Sequence, residues 1–502
     1  MQPVADNGSA RRRATGALAA LIALLVPLVA LAASRGGDES EERLPASVVA
    51  SPSFARDIAP IVRTKCAGCH MDGGIAPFAF RTERDLASRA ALVLRAVEER
   101  RMPPWPPGPR SPAYVGQAEK TLGSTQRETL VRWAKTQLVR PGAPRSGTPV
   151  GTAPRQATAA LPGESTLDLA LPVAYSPHRP SGGGTDDYRC FVLDPKLAED
   201  AFVTSARVSP DVDAIVHHVI LYRVLPGSIA SADRLDRAEA GPGWTCFGTA
   251  GIERAGGAGL GFLDDAGWIA AWAPGSTGGR LRAGTGISLP AGSKVVMQVH
   301  YNLLNGARPD RSRAILTTAP ATTGLQPVST TLLPAPVELA CPPGEQGALC
   351  DRTASQFDQV RKYGQEAGLI PTGLLLLCGK NAAQPAAATT TTCDRRVATR
   401  TTIQAVMAHM HLLGASISVV LNPGTSRSTT LLEIPRWDFH WQSSYLLAQP
   451  VVAEAGDVLR VTCRHDVGKR ATLRPRPSAR YILWGEGTRD EMCLGVVQVT
   501  RG

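Results

Sequence analysis

Apolar positions along the chain follow two rhythms. Ile58, Ile61 and Val62 recur at helical spacing within Phe54–Lys65, and Leu130, Trp133, Ala134 and Leu138 do so after Thr125-x-x-Glu128, a capping-box pattern. Residues 50–142 are therefore expected to form a small all-α domain. After residue 164 the pattern changes to short alternating or β-branched runs: Ala214–Val224, Ser293–Leu303, Arg313–Thr318, Thr401–His411, Ala415–Leu421, Asp457–Cys463 and Tyr481–Trp484. Gly, Pro, Asn and Asp interrupt them, which predicts an all-β region, sandwich or jelly roll, with one lone helix at Gln356–Ala367. Residues 165–502 are too many for one typical sandwich, so two are expected, at 165–325 and 326–502. Residues 143–164 are rich in Pro, Gly, Ala and Thr without apolar periodicity and read as an extended linker. The sequence shows no internal repeat.

The start of the chain sets the compartment. Arg11, Arg12 and Arg13 precede an apolar run from Ala14 to Ala33 that ends in Ala30-Leu31-Ala32. Residues 1–33 have the form of a signal peptide, and uncleaved they are long enough for a membrane anchor. Either way the rest of the chain is expected outside the cytoplasm, periplasmic or secreted, and tethered to the inner membrane if the segment is retained. Ten cysteines agree with export. Hydrophobic residues at 43% and charged residues at 19% exclude a polytopic membrane protein, a coiled coil and collagen. The net charge of +11 has no Lys/Arg block interleaved with aromatics, so no nucleic-acid partner is expected.

The first chemical motif is Cys66-Ala67-Gly68-Cys69-His70, the C-x-x-C-H pattern of covalent haem attachment. Two thiols one helical turn apart can reach the two vinyl groups of one porphyrin, and the adjacent imidazole then faces the iron. Met102, followed by Pro103 and Pro104, is the candidate second axial ligand. A chance match, or a zinc or redox pair, is the bland alternative. Helix, motif, Met loop and closing helix together resemble the class I cytochrome c family, which implies one covalent haem c.

The second constellation is built from histidines. The chain has nine, and one belongs to the haem motif. Five others lie in strand-like runs: His217 and His218 in Ile215–Tyr222, His300 in Gln298-Val299-His300-Tyr301, and His409 and His411 in Met407–Gly414. Met492 stands in Glu491-Met492-Cys493. His409 and His411 are two apart, so on a strand both rings leave one face. His217 and His218 would point to opposite faces, and share a metal only if the strand is distorted or the rings use different nitrogens. A thioether among imidazoles argues for copper, whereas zinc more naturally pairs His with carboxylate or thiolate. A lone strand histidine is more often structural, and His178, His440 and His465 are read so, His440 as packing against aromatics.

In this order, the His-His pair, Gln-Val-His-Tyr, His-x-His and Glu-Met-Cys resemble the copper type II, ascorbate-dependent monooxygenases, which include peptidylglycine alpha-hydroxylating and dopamine beta-monooxygenase. The resemblance covers residues 165 to 502. It implies two jelly-roll sandwiches, each holding one copper across an open cleft. His217, His218 and His300 would hold the electron-supplying copper, and His409, His411 and Met492 the oxygen-binding one. Gln298 and Tyr188 match supporting positions. Cys463–Cys493 resembles a family disulfide, Cys190–Cys246 is a further candidate, and Cys341–Cys350 and Cys378–Cys393 are paired only by proximity in sequence. The implied reaction is hydroxylation of a C–H bond of a small organic substrate with O₂, using electrons from ascorbate or a redox protein.

Two departures bear on the substrate. Met407 stands where peptide-hydroxylating members carry an Arg, and Leu494, Gly495 and Val496 follow Cys493 where those members carry an Asn and a Tyr. The pocket is thus expected to be more apolar. The fused haem domain is expected to feed the His217/His218/His300 copper by transient docking on its linker. A non-catalytic haem–copper electron-transfer or copper-binding protein is the alternative, and a zinc-binding structural sandwich a third reading.

Overall fold

The computed structural model describes residues 52–501 except 73–75, 140–146, 152–159, 181–183, 254–262, 274–277 and 475. The signal or anchor segment lies outside the described residues. Among those described, no helix is long and apolar enough to cross a membrane.

The first described region carries short helices. A π-type turn at Phe54–Ile58 runs into Ala59–Lys65, followed by helices at Glu83–Ala87, Ala90–Glu98, Gln117–Lys120 and Ser124–Val139. Phe54, Ile58, Val62, Leu86, Val97, Leu130, Trp133 and Ala134 form their buried core. The capping box falls elsewhere than expected. Thr125 lies inside the last helix, and the reciprocal pair is Thr82 with Asp85 at the start of Glu83–Ala87. Leu138 is exposed. Part of the expected linker packs back on this region: Glu83 N–H donates to Thr148 O, Val150 N–H donates to Arg81 O, and Val150 is buried in the helical core.

The rest is β-sandwich with few helices. A five-stranded sheet runs Trp244–Thr245, Asp186–Leu193, Lys294–Asn302, Val216–Val224, Trp268–Trp272 in spatial order. A four-stranded sheet runs Thr390–Arg396, Val458–His465, Gly414–Leu421, Thr429–Ile434. Each packs on part of one nine-stranded sheet. The two sandwiches are thus joined, not merely tethered. Strand Gln326–Pro334 pairs in parallel with Thr285–Leu289 of the first half and antiparallel with Leu494–Arg501 of the second.

The strand positions follow the alternation closely, with Thr401–His409 ending before His411. The expected lone helix is two, Arg352–Tyr363 and Gln365–Leu377. Gly364, at φ +90°, interrupts them. All four cysteine pairs are disulfides: Cys190–Cys246, Cys341–Cys350, Cys378–Cys393 and Cys463–Cys493. Cys66 and Cys69 remain free thiols.

One tight turn anchors the sheet that carries the first histidines. Gly243 has φ +70°, and a Cβ there would lie 2.1 Å from Cys190 O. Its own carbonyl accepts from Arg189 Nη2 at 2.7 Å. Gly243→Ala is expected to cost about 3 kcal/mol or more in denaturant unfolding. Gly292→Ala, at φ +72° with nothing within 4 Å of the added Cβ, should cost only about 1 kcal/mol.

Candidate metal centres

The strand Val216–Val224 is distorted where the two histidines sit. Val216 pairs with Tyr301, but His218 pairs with His300, so His217 is the extra residue of a bulge. A bulge re-aims a side chain that alternation would send to the opposite face. His217, His218 and His300 consequently converge, with one ligand nitrogen from each lying within 4.8 Å of the others. Nδ1 of His218 is 3.4 Å from Nδ1 of His217 and 3.3 Å from Nδ1 of His300.

The far side of His300 is held by Asp186, whose Oδ1 is 2.9 Å from Nε2. A carboxylate only accepts, so the proton sits on Nε2 and the Nδ1 lone pair faces the cluster. Asp186 Oδ1 also accepts from Thr488 Oγ1 at 2.5 Å and Asn302 Nδ2 at 3.2 Å. Burial works against the carboxylate, yet the hydrogen bonds from His300 and Thr488 outweigh it and hold its pKa below the ordinary value. Tyr188 stacks on His300 at 4.1 Å between ring centroids and donates its hydroxyl proton to Glu486 O. Gln298 is buried, but its amide is engaged by Tyr222 and Cys246.

The second set forms where strand Thr401–His409 ends. His409 and His411 have ring centroids 5.1 Å apart. His409 Nδ1 is 2.6 Å from Gln442 Oε1, and His411 Nδ1 is 3.0 Å from Asp490 O. Both partners are acceptors, so in each ring Nε2 is left with the lone pair. His411 Nε2 is buried without a hydrogen-bond partner.

Glu491 organises this end. Its carboxylate accepts the backbone N–H of His411 at 3.0 Å, Leu413 at 2.5 Å and Met492 at 3.3 Å, and lies 3.4 Å from His465 Nε2. Met492 is buried in the core of the second sandwich, beside the Cys463–Cys493 disulfide. His465 is structural, as read, but supports the Met492 segment. His178 is exposed and bonded to Tyr175. His440 is exposed and paired with Asp438, which corrects the expectation that it packs among aromatics. Its neighbour Phe439 packs there instead, 5.1 Å from the His217 ring and 6.3 Å from that of His411.

The two sets are adjacent. Ring centroids of His218 and His409 lie 6.4 Å apart, closer than an open cleft between separate coppers implies. The bonds from Asp186 to Thr488 and from Tyr188 to Glu486 join the sandwiches at this point. Burial pushes His217 and His218 well below the ordinary pKa, and burial with the neighbouring His411 pushes His409 down to about 3. These rings are neutral at pH 7, as metal ligation requires.

In the helical region, Cys66, Cys69 and His70 occupy the turn that follows Ala59–Lys65, with His70 N–H donating to Cys66 O. His70 Nδ1 is 3.0 Å from Phe78 O, leaving Nε2 for a ligand. Its ring stacks on Phe80 at 4.4 Å. Burial pushes the Cys66 thiol up to about 12. The only two thiols outside disulfides, beside an imidazole with one free nitrogen, fit covalent haem attachment. Met102 lies on the loop after Ala90–Glu98, its N–H donating to Ala96 O.

Residues 366–498 match the family model of the copper type II ascorbate-dependent monooxygenase, C-terminal domain. That span contains His409, His411, Met492 and Cys463–Cys493. No curated protein matches the chain. Among solved structures, the major capsid protein P2 from bacteriophage PM2 is 10% identical over 67% of this chain and 98% of its own, with a TM-score of 0.25. A Paenibacillus xanthan lyase is 13% identical over 71% of this chain and 28% of its own, at 0.16. An allantoicase is 11% identical over 60% and 77%, at 0.14. Scores this low carry no argument.

Sequence reasoning missed Asp186, Gln442, Phe439 and Glu491 as supports of the imidazoles. Asp186→Asn is expected to weaken metal binding at the three-histidine set about 10–100-fold, measured by competitive chelator titration. Glu486 gives a second test, because burial raises its pKa from 4.5 to about 7. Between those values the folded chain keeps a proton that the unfolded chain has released, so stability falls as pH rises through this window. Glu486→Gln should remove that loss, gaining roughly 3 kcal/mol over the natural chain above pH 7 and nothing below pH 4.5.

Proposed function

We propose that the chain is a copper-dependent monooxygenase that hydroxylates a C–H bond of a small organic substrate. One copper would be held by His217, His218 and His300, and the other by His409, His411 and Met492. Electrons come from a c-type haem on Cys66, Cys69, His70 and Met102, or from ascorbate. The observation that carries the reading is the convergence of five imidazoles, three of them fixed by a protein acceptor on the nitrogen facing away from the cluster. Such outer partners set tautomer and ring orientation.

Copper at these sites supplies O₂ binding and one-electron steps. The chain's own groups do the rest. Asp186, Gln442 and Asp490 O hold the imidazoles neutral and aimed. The Met492 thioether favours the reduced metal. Phe439 packs against one imidazole of each histidine set, His217 and His411. Met407 lines a cavity of about 140 Å³ whose walls mix apolar Trp272 and Leu446 with polar Lys120, Arg280 and Gln442. Four disulfides support maturation in an oxidising compartment, in keeping with export.

Metal analysis with EPR of the oxidised protein tests this. Two type II coppers and one haem per chain are expected. His300→Ala should leave one copper, and Met492→Ala should retain the three-histidine copper while abolishing substrate-dependent O₂ uptake. Copper binding with no such uptake from any substrate would mark an electron-transfer protein instead, and zinc in both sites would reject the reading.

A further inference from the structure

The helical region is strapped to the second sandwich. After Met102, residues 105–115 run between two sheet edges. On one side Gly108 N–H donates to Glu433 O at 2.7 Å, Arg110 Nε pairs with Glu433 Oε1 at 2.7 Å, and Tyr114 OH donates to Leu431 O at 2.7 Å. On the other, Val115 N–H donates to Leu446 O, and Ala448 N–H donates to Ala113 O. Arg436 reaches back to Glu99 O. This corrects the expectation of a domain docking transiently on a flexible linker.

The strap packs on Tyr445, three residues along the chain from the Gln442 that holds His409. Trp105 meets Tyr445 edge-on with ring centroids 5.6 Å apart, and Tyr114 packs on the same ring at 5.1 Å. Tyr445 and Tyr114 are buried. From Tyr445 the chain runs back through Ser444 and Ser443 to Gln442, whose Oε1 lies 2.6 Å from His409 Nδ1. A route therefore leads from Met102 through Pro103 and Pro104 to Trp105, across one ring contact, along three peptide units and over one hydrogen bond to His409. Electron transfer favours bonded and hydrogen-bonded paths over gaps. A second feature points the same way. Lys120, close enough to Cys69 for their charges to interact, lines the cavity that also exposes Gln442, Ser443 and Ser444.

We propose that Trp105 and Tyr445 relay electrons from the Cys66/Cys69/His70 haem directly to the metal at His409 and His411, and not first to the three-histidine set. The proposal rests on the haem and copper assignments above, and does not need hydroxylation. In the step, ferrous haem iron is oxidised to ferric and Cu(II) at His409/His411 is reduced to Cu(I). One electron moves, and no bond to substrate forms or breaks. Trp105 and Tyr445 are positioning residues on this route.

The test uses the full chain carrying haem and copper, oxidised and anaerobic, given a sub-stoichiometric pulse of reductant. Reoxidation of the haem is followed by its visible bands, and loss of Cu(II) by EPR. Haem reoxidation is expected to persist in His217→Ala/His218→Ala and to vanish in His409→Ala/His411→Ala. Trp105→Leu should slow it by an order of magnitude or more with haem and copper content unchanged, while Tyr445→Phe, which keeps the ring, should not. Reoxidation that survives loss of His409 and His411 but not loss of His217 and His218 would overturn the proposal, as would an unchanged rate in Trp105→Leu. A chain that transfers electrons in this way yet hydroxylates nothing would sink the monooxygenase reading and leave the relay standing.

Discussion

The buried carboxylate of Asp186 is the point on which the two sandwiches and the first histidine set depend together. An unpaired carboxylate at that depth would cost several kcal/mol or simply take up a proton. Here it accepts from His300, Asn302 and Thr488, two from its own sheet and one from the loop leading to Met492. The charge is therefore tolerable only when both halves are in place. The same contact that fixes a tautomer also fixes the distance between the histidine sets.

Glu491 repeats this arrangement at the second set, with backbone amides as the donors. Three N–H groups on one carboxylate hold the turn after His409 against the strand that follows Met492. Burial opposes its charge, and the His465 hydrogen bond with the amides brings its pKa below the ordinary value. The disulfide Cys463–Cys493 ties the same strands covalently. The second centre is thus braced by charge, by backbone and by sulfur, and the nine-stranded sheet carries that rigidity across to the first.

Much of this was legible in the residues. Alternation located the main strands, and the order of His-His, His and His-x-His picked out the five imidazoles that converge. The eight cysteines paired as read. What could not be read follows from how sheets are built. Alternation assigns His217 and His218 to opposite faces, and only a bulge, which is set by the pairing with Tyr301 and His300, reconciles them. Gln442, Phe439 and Asp186 carry no spacing signal, because they reach the imidazoles from other strands and loops. The Pro-rich stretch after Met102 reads as a simple loop, since its partners lie more than three hundred residues away. Gly364 alone splits what periodicity reads as one helix.

That stretch also closes an otherwise open seam. Strands Thr429–Ile434 and Ser444–Ala453 are the last in their respective sheets, and both spend hydrogen bonds on residues 108–115. Unpaired sheet edges are templates for pairing with other chains. Cutting the helical region away would uncover two of them side by side, around the apolar ring of Tyr445. The N-terminal region is thereby a guard against self-association as well as a neighbour of the site, so the sandwiches are not a unit that can be excised and kept soluble at no cost.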